Sequence, residues 1–276
     1  MNTPIWVLGL LAIVSFGILY MGYRLHVYSR SGILVTTIII VIVTVSKGWA
    51  WTVPVIIFIG TQILWSQLGI STAQKSSSSR QNLGGISVAA RLGWPTVMAA
   101  AQLFQPEFSL FPAFIGSLAV TTADVWATEI GLLSRDKPRL LTSKISVPHG
   151  TPGAISTLGL IASLGGGWLI GLTGLLTSAL PVLNSQNYWP KDRLWLPLAA
   201  TIGGFVGMLV DSILAQTAQA MYYCNVCRRF SQQEIDSEGH PAEYVRGISW
   251  INDETIDLIS SIIGALITAI ALKMLS

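Results

Sequence analysis

Charge is scarce in this chain. Only 11% of its 276 residues are charged, against about 25% in an ordinary soluble domain. Cysteine is scarcer still: there are two, Cys224 and Cys227, so no disulfide framework holds the fold. They stand as Cys-x-x-Cys, too close for an ordinary structural staple. A structural zinc needs four ligands, and His240 is the one further candidate nearby. Several catalytic signatures are missing. There is no Gly-x4-Gly-Lys-Ser/Thr, no His-Glu-x-x-His and no Gly-x-Ser-x-Gly, so a soluble-type nucleotide fold is unsupported. No repeat is seen at the periods typical of solenoids. The first apolar run, Pro4 to Tyr20, lacks a basic start and a small-residue cleavage site. It therefore reads as a retained helix and not as a signal peptide.

What the chain has in abundance is apolar sequence, with 51% hydrophobic residues. A helix crosses a bilayer with ~20 apolar residues, and such runs recur from end to end. Eight spans are expected, at Pro4–Tyr23, Gly32–Ser46, Trp49–Trp65, Ile86–Phe104, Phe108–Leu132, Pro152–Leu180, Leu194–Ala220 and Thr255–Leu275. The expected fold is an all-α polytopic transmembrane bundle of seven to nine helices, one integral domain over 1–276. Arg91 and Pro95 inside Ile86–Phe104 leave room for a re-entrant or interfacial segment there.

Placing the N-terminus outside puts twelve of the 16 Lys and Arg on the inner side, as the positive-inside rule expects. The inner loops are then about 66–85, 133–151 and 221–250. The acids Asp124, Glu129, Asp211, Asp253 and Asp257 fall near inner helix ends. A polar cytosolic substrate meeting a membrane-held one fits this placement, and the lipid bilayer is itself a partner. Nucleic acid is not expected. The protein is expected in the cell membrane, or a plastid-type membrane, with its active face cytoplasmic.

The polar chemistry centres on Ser117 to Gly153. Acids in an apolar segment are costly and usually functional. Asp124 and Glu129 are about 140° apart on a regular helix, so they do not share a face, whereas Thr121, Asp124 and Thr128 do. Asp124 is read either as a Mg²⁺ ligand, with Glu129 as a second ligand or a partner for a base, or as a buried acid paired for structure. Mg²⁺ typically takes one or two carboxylates plus substrate phosphate oxygens. Arg139 and Lys144 precede His149-Gly150-Thr151-Pro152-Gly153. Pro152 suits the first turn of a helix with Thr151 as its N-cap, and helix N-termini bind phosphate. A basic loop before a capped helix is the plainer alternative.

Three further stretches carry polar groups. Gly203 and Gly207 form a small-xxx-small packing face. Asp211 lies beside a stripe of Ser212, Gln216 and Gln219. Asp253, Asp257, Ser261 and Gly264 share one helical side, although acids are also favourable at any helix N-terminus. Lys75 and Arg80, followed by Gly84-Gly85, are read either as a phosphate contact or as a solvated linker.

These motifs together resemble a polytopic membrane family that includes the plant phytyl-phosphate kinase of vitamin E synthesis and human transmembrane protein 19. Ala123-Asp124-Val125-Trp126-Ala127-Thr128-Glu129-Ile130-Gly131 is similar to its ADTWASEIG signature. Arg80 to Gly85 is similar to its RxxxQ(V/N)LANG element, and Pro148 to Ser156 to PxGTxGAVS. Gly207 to Ala215 resembles GSLxDSLLGA, and Asn252 to Asp257 resembles NNDxVN. There is a more distant likeness to CTP-dependent dolichol kinases and membrane cytidylyltransferases.

The resemblance implies a kinase converting a phytyl or prenyl monophosphate to its diphosphate, with CTP or another NTP as donor and Mg²⁺ as cofactor. On that reading Asp124, Glu129 and Asp211 are catalytic, and Asp124, Asp211 and Asp257 hold the metal. Arg80, Arg139, Lys144, His149, Gly150, Thr151, Gly153, Ser212 and Asn252 meet the substrate and its phosphates. A cytidylyltransferase acting on a lipid phosphate is the alternative enzyme. A transporter using its intramembrane acids is the alternative outside catalysis.

Overall fold

The apolar runs fold into helices that end where glycine, proline or a capping side chain interrupts them. The computed structural model describes residues 5–68, 82–104, 110–179, 193–226, 229–231 and 239–275. Among them are eight helices: α1 Ile5–Arg24, α2 Arg30–Lys47, α3 Trp49–Leu68, α4 Gly85–Phe104, α5 Phe111–Gly131, α6 Thr157–Ala179, α7 Leu196–Thr217 and α8 Asp253–Leu275. This is the all-α membrane bundle that the sequence predicts. By length and composition α1, α3, α6, α7 and α8 can each cross a membrane, and α2 is a shorter apolar helix. The segment carrying Arg91 and Pro95 is one continuous helix of 20 residues, α4.

The centre of the bundle is α5, packed against α3, α4, α6, α7 and α8. It is polar for a membrane helix, and being surrounded makes that affordable. Two of its buried hydroxyls are satisfied within the helix. Thr121 Oγ1 donates to the Ser117 carbonyl at 3.2 Å and Thr122 Oγ1 to the Leu118 carbonyl at 2.7 Å. Small residues let its neighbours come close, which matters where dispersion and not water exclusion holds helices together. A β-carbon on Gly204 would sit 2.9 Å from the Ala119 carbonyl oxygen, and one on Gly166 would sit 3.1 Å from that of Thr122. Gly203 and Gly207 do form the packing face expected of them. They lie against Gly264, Thr268 and Ser260 of α8 and against Val120 of α5.

Short strands decorate one end of the bundle. The loop between α5 and α6 holds β1 Arg139–Leu140 and β2 Ala154–Ile155, paired antiparallel. The loop between α7 and α8 holds β3 Met221–Cys224, β4 Arg229–Ser231 and β5 Glu243–Arg246, in the order β4-β3-β5.

One helix boundary corrects the expectation. The helix does not open at Pro152 under a Thr151 cap. It begins at Thr157, where Ser156 Oγ accepts from the Gly159 N–H at 3.0 Å and donates to the Gly131 carbonyl at 3.3 Å. Residues 151–155 are a turn and then β2. The backbone there pairs with β1, so it cannot also form the first helical turn.

Candidate functional site

Four helix ends converge on one cavity of about 260 Å³. The last turns of α5 bring Asp124 and Thr128, α7 brings Asp211 and Ser212, and Gln219 follows just after its end. The start of α8 brings Asp253 and Asp257, and α4 brings Arg91. The turn from His149 to Gly153 also lines it. The sequence-predicted Asp124, Asp211, Asp257, His149, Gly150, Thr151, Gly153 and Ser212 are thus brought together from four separate segments.

Three of the four lining acids, Asp211, Asp253 and Asp257, are each held by a neighbour. Arg91 Nε lies 3.3 Å from Asp257 Oδ2, with both side chains largely shielded. The Arg91 carbonyl in turn accepts from Thr121 Oγ1 at 3.2 Å, which ties α4 to α5. Ser260 Oγ donates to Asp211 Oδ1 at 3.0 Å, and Gln219 Nε2 donates to Asp253 Oδ1 at 3.2 Å. Arg91 is the one lining cation of this cavity among the described residues. For Asp257, pairing with a base and facing the cavity hold together.

The turn lies on α7 because Gly153 allows it. Gly153 has φ +73°, and a β-carbon there would sit 2.5 Å from the Ser212 carbonyl oxygen. Gln216 clamps the same region from below. Its Nε2 donates to the Gly153 carbonyl at 2.5 Å, and its Oε1 accepts from the N–H and hydroxyl of Thr142 at 3.1 and 2.9 Å. Thr151 closes the turn by donating its hydroxyl to the Pro148 carbonyl at 2.8 Å.

Two polar atoms lining the cavity have no partner among the described residues. His149 Nε2 and Gln219 Oε1 are both buried and unbonded. Buried polar atoms are seldom left so, and both belong to residues that face the space between the acids and the turn.

Other predicted residues lie elsewhere. Glu129 lines a smaller cavity of about 160 Å³ together with Arg91, Asp124, Thr128 and Gln62. Asp124 therefore touches both cavities and Glu129 only the second, as their angular separation on a helix requires. Gln62 in that cavity accepts a hydrogen bond from the Tyr28 hydroxyl, whose pKa burial pushes up. Arg139 and Lys144 line a third cavity on the far side of β2 and are not brought to the acids. Asn252 does not line the acid cavity; its Oδ1 caps α8 by accepting from the Thr255 N–H at 2.9 Å. Arg80 and Cys227 lie outside the described residues. Cys224 is buried and in no disulfide.

The sequence reading left Arg91 out of the site; it set Gln216 and Gln219 in a polar stripe beside Asp211, and Asp253 on one helical side with Asp257, without assigning these three a role. The available signal for Arg91 was a lone cation in an apolar run, which is itself a functional mark.

The donor set is oxygen-rich: carboxylates, hydroxyls and backbone carbonyls, with one imidazole. Among the described residues no group of three His, Cys, Asp or Glu is placed to hold a metal ion by itself. Mg²⁺ dehydrates reluctantly and binds through one or two carboxylates plus the oxygens of a phosphate, and a lining whose acids come singly or in pairs from α5, α7 and α8 fits that demand better than it fits a closed, all-protein cage.

The sequence matches the family model described as Integral membrane protein DUF92 over residues 13–265. Among curated relatives, Protein PGR of Arabidopsis thaliana is 28% identical over 179 residues, 65% of this chain and 60% of its own. An uncharacterized membrane protein of Methanocaldococcus jannaschii is 28% identical over 187 residues, 67% of this chain and 72% of its own. The chain thus matches less than two thirds of the plant relative's length. No solved structure matches.

Proposed function

Because the chain belongs to the DUF92 family of integral membrane proteins, we propose that its acid cavity is the active site of a membrane phosphotransferase. The donor is a nucleoside triphosphate such as CTP. The acceptor is the monophosphate of a membrane-held isoprenoid, of the phytyl or prenyl class. An acceptor phosphate oxygen attacks the terminal phosphorus of the nucleotide. The P–O bond to the β-phosphate breaks, leaving a lipid diphosphate and a nucleoside diphosphate. The attacking oxygen is already anionic, so no side-chain base is needed. Phosphoryl transfer is mostly positioning and charge stabilisation.

The observation that carries this reading is the convergence of Asp124, Asp211, Asp253 and Asp257 with Arg91 beneath the His149–Gly153 turn. One or two of Asp124, Asp211 and Asp257 would hold Mg²⁺ together with phosphate oxygens, and the ion would neutralise charge on the phosphates when bound. The N–H and hydroxyl groups of the turn, with Ser212, would orient phosphate oxygens. His149 Nε2 would find there the partner it lacks. A groove of about 820 Å³ between α2, α4 and α8 also reaches Arg91, Asp253 and Asp257, and Val35, Ile86 and Ala89 give it apolar walls. It is the proposed route for the acceptor, whose phosphate would meet Arg91 while its tail stays among the helices. The cations crowding this end support a cytoplasmic site.

A transporter is less well supported, since transport sites tend to lie near the midplane and these acids occupy helix ends. The test is to incubate purified protein with a prenyl monophosphate, Mg²⁺ and each NTP in turn. A lipid diphosphate is expected, and it should vanish in Asp124→Asn and Asp211→Asn. A CMP-bearing lipid would instead support the cytidylyltransferase, and flux through proteoliposomes without any lipid product would support transport.

A further inference from the structure

Between the β1 hairpin and the first turns of α6 lies a cavity of about 580 Å³. Lys137, Arg139 and Lys144 line it, with Ser146, Thr157 and a single acid, Asp136. β2 and Ser156 separate it from the acid cavity, since Ile155 and Ser156 line both. Among the described residues none of the three cations makes an ion pair. Three cations against one lining acid leave a surplus of positive charge among the described residues.

The backbone builds this arrangement. Strand β1 pairs with β2 on one side and bridges to Ser146 on the other. The Lys144 N–H donates to the Leu140 carbonyl at 2.8 Å and so closes the hairpin turn. Lys144 is held there at φ +55°, a conformation uncommon outside glycine. Thr142 pins the turn to Gln216. The cations are thus carried on a fixed scaffold and not on a free loop.

The surroundings name the ligand. The cavity meets α6 at Thr157 and Leu160, and α6 is long and apolar enough to cross a membrane. Just beyond, Ile161 is 63% exposed, and on the hairpin Ile145, next to Lys144, is 60% exposed. Exposed cations lining a cavity with apolar side chains beside them are the pattern of a bilayer interface, where basic pockets hold anionic headgroups.

We propose that Lys137, Arg139 and Lys144 bind the phosphate diester of an anionic phospholipid, whose acyl chains run down the exposed face of α6. The site is separate from the acid cavity and does not depend on the proposed activity. Its occupant would seat the hairpin that leads, through His149 to Gly153, into the acid cavity.

The experiment purifies the protein in mixed micelles of equal parts phosphatidylcholine and phosphatidylglycerol and measures the ratio of the two lipids retained. Phosphatidylglycerol should be enriched, and the enrichment should fall about fivefold for each cation changed to Gln. Arg139→Lys should keep most of it. Arg135→Gln, on the same loop but not lining the cavity, should leave it unchanged, as should Asp211→Asn. Each variant is checked for a monodisperse peak on gel filtration, and the single substitutions carry the test if the triple variant does not fold. Equal retention after loss of all three cations would overturn the proposal. So would an equal loss in Arg135→Gln, or displacement of the lipid by millimolar inorganic phosphate, which would mark a site for soluble anions.

Discussion

Arg91 can be read as a structural partner or as a ligand for phosphate, and variants separate the two. It stands 166 positions from Asp257 in the sequence, yet the two side chains pair at 3.3 Å. Arg91→Ala leaves the Asp257 carboxylate without its cation. A cost of about 2 kcal/mol in stability is expected, less than the roughly 3–5 kcal/mol of a fully buried pair; an apparent melting temperature in detergent checks it. The double variant Arg91→Leu with Asp257→Leu should recover most of that stability, since apolar replacement of a shielded pair is often neutral or better. It should not recover activity. Recovery of both would reduce the pair to packing. This contact also marks where sequence reading stops. Spacing along one helix places Asp253 beside Asp257 and separates Asp124 from Glu129, as the cavities bear out. It cannot say that a cation on α4 meets an acid on α8, nor that Gln219, 34 positions before Asp253, will hold that acid.

At the scale of elements, the hairpin and its clamp are the part least visible beforehand. Thr151 and Pro152 carry the usual marks of a helix start, and those marks are outvoted. Ala154 and Ile155 pair with β1, so the cap passes to Ser156. The same strand explains why Arg139 and Lys144, close to the glycine turn in sequence, face a different cavity. Gln216→Ala should remove the bonds to Gly153 and Thr142 together. We expect faster amide exchange across 142–153, with a rise in KM for the nucleotide larger than the fall in kcat. The helices were far more legible, because apolar runs punctuated by Gly and Pro specify them locally. Their close packing can be tested at Gly264, where a β-carbon would overlap Val120 and lie 3.0 Å from the Gly203 carbonyl oxygen. Gly264→Leu should cost about 1–3 kcal/mol through overpacking and lower the yield of folded protein. Gly60→Ala, where no neighbouring atom lies within 4 Å, should be tolerated.

At the scale of the whole molecule, the acids of the cavity, the glycine turn and most of the cations among the described residues gather at one end of the bundle. The proposed orientation, which follows the positive-inside rule, puts that end in the cytoplasm. A cysteine at Ser143, on the exposed hairpin turn, should react with a membrane-impermeant maleimide only after cells are opened, above the background of the unaltered chain. Labelling in intact cells would reverse the orientation and remove cytosolic nucleotide from the scheme. The central claim is that this end transfers a terminal phosphate to a lipid monophosphate. Its most direct measurement supplies nucleotide labelled at the γ-phosphate, or separately at the α-phosphate, to purified protein with Mg²⁺ and a prenyl monophosphate. The account predicts γ-label in a lipid diphosphate, falling roughly 100-fold or more in Asp211→Asn. Label entering the lipid only from the α-phosphate, or none entering from any nucleotide, would contradict it.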